Sequence, residues 1–253
     1  MEGKVYSRIE NGIGYVTFFH PQSNSLPGEI LRLLAAEITK VGNDPEAKVI
    51  VLMSEGDKTF CAGASFDELA AINDIDTGTT FFSGFAGVIN AMRKAPKFVI
   101  ARIQGKAVGG GVGLASAADY TLATEAAAIK LSELAVGIGP FVVGPAVERK
   151  VGTAAFCQLT INASAWQNAY WAREKGLYVE VFKTIEELDK GIDDLAAILA
   201  KSNPEAMAML KKVFWEGTEN WDQLLLERAA MSGALVISEF TRNAIAKFKQ
   251  GAR

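Results

Sequence analysis

Apolar positions along the chain recur with two periods. Residues 14–19 run almost unbroken after an Asn11-Gly12 turn signal, which predicts a β-strand. From Pro27 the apolar positions fall at Ile30, Leu31, Leu34, Ile38 and Val41 and stop at Gly42-Asn43, which predicts an amphipathic helix. Residues 48–53 and 98–103 are continuous apolar runs, the pattern of strands buried on both faces. Residues 81–93 return to helical spacing and end ahead of Pro96. Residues 120–123 and 129–131 read as short strands. Strands alternating with helices predict an α/β core.

Beyond about residue 142 the pattern turns helical. Helices are expected over 142–151, 154–160, 165–175, 185–201, 205–214 and 222–240, with breaks at Asn203-Pro204 and Gly217-Thr218. The chain thus divides into an α/β core, 1–190, and a helical region, 191–253, within one functional unit. No fixed-period repeat or low-complexity tract interrupts it.

Composition narrows the chemistry. In 253 residues, 49% are hydrophobic and 22% charged, enough apolar surface for one large domain. The net charge of −3 carries no basic footprint for nucleic acid. One histidine, His20, and two cysteines, Cys61 and Cys157, exclude a disulfide framework and a multi-His or multi-Cys metal centre. The N-terminal residues have neither an apolar signal core nor a transit pattern, and no uncharged apolar stretch has membrane-spanning length. A soluble cytoplasmic protein is the expectation, with unpaired cysteines suited to a reducing interior.

Two glycine-bearing loops stand out. Gly109-Gly110-Gly111, with Gly113, lies between a predicted strand and a small-residue helix. Glycine lets a backbone approach a ligand closely, and a helix N-terminus offers free N–H groups and a positive dipole end. Such a turn suits a phosphate or a developing oxyanion, and equally suits close packing of helix on strand. It is neither a P-loop, since no Lys-Ser/Thr follows, nor G-x-G-x-x-G. The second loop, Cys61-Ala62-Gly63-Ala64, leads into a short helix with Ser65 as N-cap and Asp67 and Glu68 in its first turn. Two such loops at the ends of neighbouring strands can meet at one crevice.

These residues carry a resemblance to the crotonase superfamily, the enoyl-CoA hydratase/isomerase family. Pro21-Gln22-Ser23-Asn24-Ser25-Leu26 resembles its P-x-x-N-A/S-L/M. Phe60-Cys61-Ala62-Gly63-Ala64 resembles F-x-A-G-A. The stretch from Ala101 through Gly105 to Gly109-Gly110-Gly111 resembles A-x-x-x-G-x-x-x-G-G-G. Asp119, Glu133 and Gly137 fall at family positions, and residues 165–177 resemble its A-x-x-A-x-x-x-G-L-V segment. Five motifs stand in family order over nearly the whole chain.

The resemblance implies a spiral of ββα units with a helical C-terminal region that builds a homotrimer or a dimer of trimers. It implies an acyl-CoA substrate, no membrane or nucleic-acid partner, and no cofactor beyond the coenzyme A of the substrate itself. It implies an oxyanion hole made by the backbone N–H groups of Ala64 and Gly110, with Glu133 as acid/base. It places substrate contacts at Ser25, Leu26, Ala62, Gly63, Ser65, Phe66, Gly109, Gly113, Phe141 and Lys247.

The chain departs from the family at Ser65, where an aspartate is usual, and at Asn243-Ala244, where an acid-glycine step is usual; it departs from the two-glutamate hydratases at Gly113, where they carry the first glutamate. Shifting a double bond needs one base that removes and returns a proton, so the resemblance leans toward isomerisation. Hydration by one glutamate, and acyl-CoA binding without catalysis, remain open alternatives. Glu133 lies in an apolar segment where desolvation favours its protonated form; without the resemblance it reads as a solvated carboxylate at a strand edge. Phe81, Phe82, Phe85 and Trp166 are candidates for an acyl pocket or for core, and Asp67 and Glu68 for that pocket or for solvent. Lys58, Lys247 and Lys249 with Phe248 are candidates for CoA contacts, in the family's case to a neighbouring subunit, or for solvated surface. His20 is expected to be structural.

Overall fold

The computed structural model describes the backbone of residues 3–251 and the side chains of residues 3–247. Phe248 and Lys249 therefore lie outside the described side chains.

Strands β1 (Lys4–Glu10) and β2 (Ile13–Phe19) form an antiparallel hairpin. Its turn residues Asn11 and Gly12 both take positive φ, 53° and 80°, as a tight turn matched to strand twist requires. Strand β2 then pairs in parallel with β3 (Val49–Ser54), which pairs with β5 (Val99–Ile103), β7 (Tyr120–Thr124) and β9 (Glu180–Phe182) in that order. Strand β5 is buried throughout and β3 nearly so, as their unbroken apolar runs demand. A second, smaller parallel sheet is built from β4 (Thr59–Cys61), β6 (Lys106–Val108) and β8 (Ile129–Lys130). Strands β3, β5 and β7 of the large sheet are each followed by a strand of the small one and then by helix. That repeated strand–strand–helix step is the spiral.

Helix α1 (Gly28–Asn43) buries the five predicted residues Ile30, Leu31, Leu34, Ile38 and Val41. Its first turn lacks a capping side chain of its own, and Glu68 supplies one by accepting from Gly28 N at 2.7 Å. Glu68 is thus tied to α1, half-exposed at the groove beside α3. It sits in α2 (Phe66–Ala71), whose N-cap is Ser65 as expected. Asp67 accepts from the side chain of Gln22 at 2.8 Å. Helix α3 (Ile75–Lys94) begins earlier than apolar spacing predicted, because Asp74 caps it by accepting from Thr77 N. The following helix α4 (Gly110–Ala117) is completely buried.

Further differences are local. Phe60 and Cys61 belong to β4 rather than to a loop, and β6 and β9 are too short to read by periodicity. Helix α5 (Gly144–Ile161) has a non-helical break at Gly152, φ 75°, so the two expected helices do abut there. Helix α6 (Ala169–Glu174) starts late because Asn168 caps it. The expected final helix is two, α9 (Trp221–Val236) and α10 (Glu239–Gly251). Helix α7 (Ile185–Ala200) packs Leu188, Ile192 and Ala196 on the outer face of the large sheet, against Val49, Val51, Ile100 and Leu122. The division at 190 therefore passes through one helix. Helix α8 (Pro204–Phe214) is tied to the sheet by Lys211, whose Nζ lies 2.5 Å from Asp119 Oδ2. Asp119 also accepts from Trp215 Nε1 and Val99 N.

Among the described residues, no helix is long and apolar enough to cross a membrane, and no group of three or more His, Cys, Asp or Glu side chains could hold a metal ion.

Candidate active site

The loop after β4 is held from the side by the segment before α1. Leu26 N donates to Gly63 O at 2.8 Å, Ser65 N to Leu26 O at 3.2 Å, and Ala62 N to Ser23 O at 3.2 Å. Gly63 takes φ +86°, and a β-carbon on it would come within 2.9 Å of Val108 O. A turn this tight, against the neighbouring strand, accommodates only glycine. Cys61 beneath it is fully buried, and that burial pushes its thiol up to about 12, so it is no thiolate nucleophile near neutral pH.

The second loop meets the first. A β-carbon on Gly63 would stand 3.5 Å from Gly110 N. Gly109 has φ 52° and ψ −116°, which only glycine adopts without strain, and its N–H donates to Lys130 O at 2.8 Å. Gly110 N opens α4, where no intrahelical acceptor exists for it. Neither Ala64 N nor Gly110 N donates a hydrogen bond to another group among the described residues. Two unused amides on abutting loops, one at the positive end of a helix, form a site for a developing oxyanion. The other glycines let the helix seat closely. A β-carbon would meet Phe85 Cε1 at 2.1 Å from Gly110, Cys61 O at 2.6 Å from Gly111, and Val143 Cγ1 at 2.4 Å from Gly113. The close-packing alternative for this cluster therefore holds, and it leaves the Ala64 and Gly110 amides without a protein acceptor.

Glu133 stands at the N-cap position of the 3-10 turn Leu134–Val136 that follows β8, without a side-chain cap bond. The residue as a whole is half-buried, but its Oε2 is sealed from solvent and has no hydrogen-bond partner among the described residues. Burial pushes its carboxyl up to about 7, against the smaller pull of a backbone hydrogen bond. The solvated-carboxylate alternative therefore fails. A carboxyl that titrates near neutrality can both accept and return a proton.

Ala64, Gly110 and Glu133 line one cavity of about 60 Å³, together with Ala62, Gly63, Phe66, Gly109 and Phe141. Its walls are otherwise mostly apolar, with Leu69, Phe82, Phe85, Ile138 and Val143 among them. Beside it runs a groove of about 900 Å³ that shares Ala62, Phe66, Ser132 and Val136 with the cavity and extends to Trp166 and Lys247. Lys247 is supplied by this chain's own α10, whose Thr241 Oγ1 donates to Gly137 O at 3.1 Å. The ring of Trp166 carries Lys130 Nζ at 4.6 Å and Lys106 Nζ at 5.1 Å from its centroid.

Four expected substrate contacts lie off both surfaces. Leu26 and Ser65 brace the first loop, and the Ser25 hydroxyl pairs with His20 Nδ1 at 3.1 Å. Gly113 lies under Val143. Phe81 faces the groove between α1 and α3, and Lys58 offers its carbonyl to Lys106 N while its side chain is exposed. Sequence reasoning missed Val143 and Ser232, because neither belongs to a motif and each reaches the cavity from a different helical segment.

Residues 8–248 match the model of the enoyl-CoA hydratase/isomerase family. The chain belongs to that family. Its members' names vary in chemistry. Rat mitochondrial methylglutaconyl-CoA hydratase is 31% identical over 200 residues, 78% of this chain and 63% of the rat protein, so the match spans less than two thirds of that relative. Carnitinyl-CoA dehydratase of Salmonella enteritidis is 29% identical over 203 residues, 79% of this chain and 75% of that one. The crystal structure of an enoyl-CoA hydratase from Bacillus halodurans superposes with a TM-score of 0.88 at 22% identity, covering 96% of this chain and 99% of that one, which shows the shared fold. As a member of the enoyl-CoA hydratase/isomerase family, the chain is an acyl-CoA enzyme of crotonase fold.

Proposed function

We propose that this chain moves the double bond of an enoyl-CoA between the 3 and 2 positions. The Ala64 and Gly110 N–H groups hold the thioester oxygen, and ionised Glu133 removes the α-proton. The electron pair shifts onto that oxygen as the enolate forms. Protonated Glu133 then delivers the proton to the γ-carbon, and the double bond settles in conjugation with the thioester. One donor of this kind is worth about 2.7–4 kcal/mol of barrier. Coenzyme A enters as part of the substrate, and the chemistry calls for no further cofactor or metal.

The observation that carries this reading is Val143. Its Cγ1 stands where any side chain at Gly113 would begin, so that wall of the cavity is hydrocarbon. A second carboxylate to activate water has no room there, whereas a proton shift needs none. The test is the initial rate of 2-enoyl-CoA hydration and 3-enoyl-CoA isomerisation by the wild type and Glu133→Gln. Isomerisation is expected to dominate and to collapse in the variant. Faster hydration than isomerisation would overturn the subtype, and equal rates in both proteins would overturn the role of Glu133. The alternative of hydration by one glutamate draws support from relatives such as the rat methylglutaconyl-CoA hydratase.

The same reading extends to assembly. Met209, Leu210, Val213 and Phe214 of α8 are exposed apolar side chains, which supports a homotrimer or a dimer of trimers. Mass measurement in solution tests the assembly, and a monomer would overturn it.

A further inference from the structure

The cavity beside Glu133 holds one polar group that the proton shift does not use. Ser232 of α9 lines it, is 1% exposed, and its hydroxyl has no hydrogen-bond partner among the described residues. The position is set by close helix packing. The next residue, Gly233, faces Gly78 and Thr79 of α3, where a β-carbon would come within 2.6 Å of Thr79 N. That contact draws α9 onto α3 and presses Ser232 into the same wall as Phe82 and Phe85. A mid-helix serine ordinarily returns its hydroxyl to a carbonyl one turn earlier, as Ser116 does to Val112 at 2.8 Å. Ser232 does not. Its hydroxyl is therefore left to bond whatever occupies the cavity.

We infer that Ser232 is a specificity-determining residue that binds an uncharged hydrogen-bonding group, a hydroxyl or carbonyl oxygen, near the distal end of a short acyl chain. The inference rests on the acyl-CoA reading above and names its substrate class. Length follows from the cavity: about 60 Å³ is a small space, with room for only a few heavy atoms past the thioester. Charge follows from the lining. No lysine, arginine or histidine lines the cavity among the described residues, so a terminal carboxylate has no counter-ion, and Glu133 repels it. A plain methyl end is accommodated by the phenylalanines but leaves Ser232 unpaired.

The test uses two saturated thioesters of equal length, so that binding is read without turnover. These are 4-hydroxybutyryl-CoA and pentanoyl-CoA, titrated calorimetrically into the wild type and into Ser232→Ala. The wild type is expected to bind the hydroxyl thioester about tenfold more tightly, and the substitution to erase that preference. Pentanoyl-CoA binding the wild type equally or better overturns the inference, whether or not the variant folds. So does a preference that Ser232→Ala leaves intact. If the wild type binds neither thioester, the acyl-CoA reading falls and this inference with it.

Discussion

The carboxylate of Glu133 lies against the α-carbon of Gly109, so closely that a β-carbon there would stand 2.9 Å from Oε1. Gly109 immediately precedes Gly110, whose amide forms half of the proposed oxyanion site. Gly109 N is also bonded to Lys130 O at the end of β8, three residues before Glu133. One short hydrogen-bonded junction between β6 and β8 therefore positions both the proposed proton carrier and a proposed donor to the enolate oxygen. Fixing both groups on one scaffold is what the proposed proton shift requires.

If Glu133 carries the proton, Glu133→Gln should lower kcat for isomerisation by about 10²–10⁴-fold, the range for loss of a positioned acid/base. KM should change far less, because the amide preserves shape. Steady-state rates with a short 3-enoyl-CoA check this, and a loss confined to KM would count against proton transfer at this residue.

The proton is removed by the ionised form, which for Glu133 appears as pH rises through about 7. The pH profile of kcat/KM should therefore rise to a plateau above that value, and an inflection near the ordinary carboxylate range would contradict the burial argument. The same shift has a stability consequence. A carboxyl whose pKa is higher folded than unfolded weakens the native state as pH rises from the unfolded value toward the folded one. The cost is fully present above about 7 and absent below the ordinary carboxyl value of 4.5. Glu133→Gln should accordingly stabilise the protein at pH 8 by roughly 3 kcal/mol, raising its thermal midpoint there, and change the midpoint little at pH 4. Scanning calorimetry at the two pH values decides it.

Much of this site was readable from residues alone, for identifiable reasons. The face of α1, the cap at Ser65 and the strands β3 and β5 follow from local pattern, so periodicity found them. The glycine loops and Glu133 were legible because motif spacing marks them. What escaped were contacts between distant segments. Glu68 capping α1, Asp74 extending α3 and Val143 covering Gly113 each depend on how elements dock, which no local period encodes. Strands of three residues, such as β6 and β9, are stabilised by their neighbours rather than by their own sequence.

Asp119 is a case where docking carries stability rather than catalysis. Its carboxylate accepts from Lys211 Nζ, Trp215 Nε1 and Val99 N, and both members of the ion pair are almost wholly buried. Burial pulls the Lys211 ammonium below its ordinary pKa, while Asp119 opposes that. Asp119→Ala strands the ammonium and should cost about 3–5 kcal/mol, whereas Lys211→Met should cost less because Asp119 keeps two neutral donors. Urea unfolding of both variants tests the order, and equal losses would contradict it.

Val143 and Gly113 provide the decisive engineering test of the proposed chemistry. In Gly113→Glu the new β-carbon would begin 2.4 Å from Val143 Cγ1, inside a helix that is buried on every side. Overpacking of this kind costs about 1–3 kcal/mol, and the added carboxylate brings a desolvation cost as well. The single variant should therefore be unstable, with isomerisation impaired. Adding Val143→Gly opens the space into which the side chain must turn, and directs the new carboxylate toward the cavity that Glu133 lines. The double variant should recover part of the lost stability. It should also gain hydration relative to isomerisation by tenfold or more, since a second carboxylate then activates water while Glu133 delivers the α-proton. The two rates on paired 2- and 3-enoyl-CoA substrates, with thermal midpoints for each protein, give the answer. A double variant that folds well yet shows an unchanged ratio would mean that Val143 does not set the reaction type, and that the hydrocarbon wall at Gly113 serves packing alone.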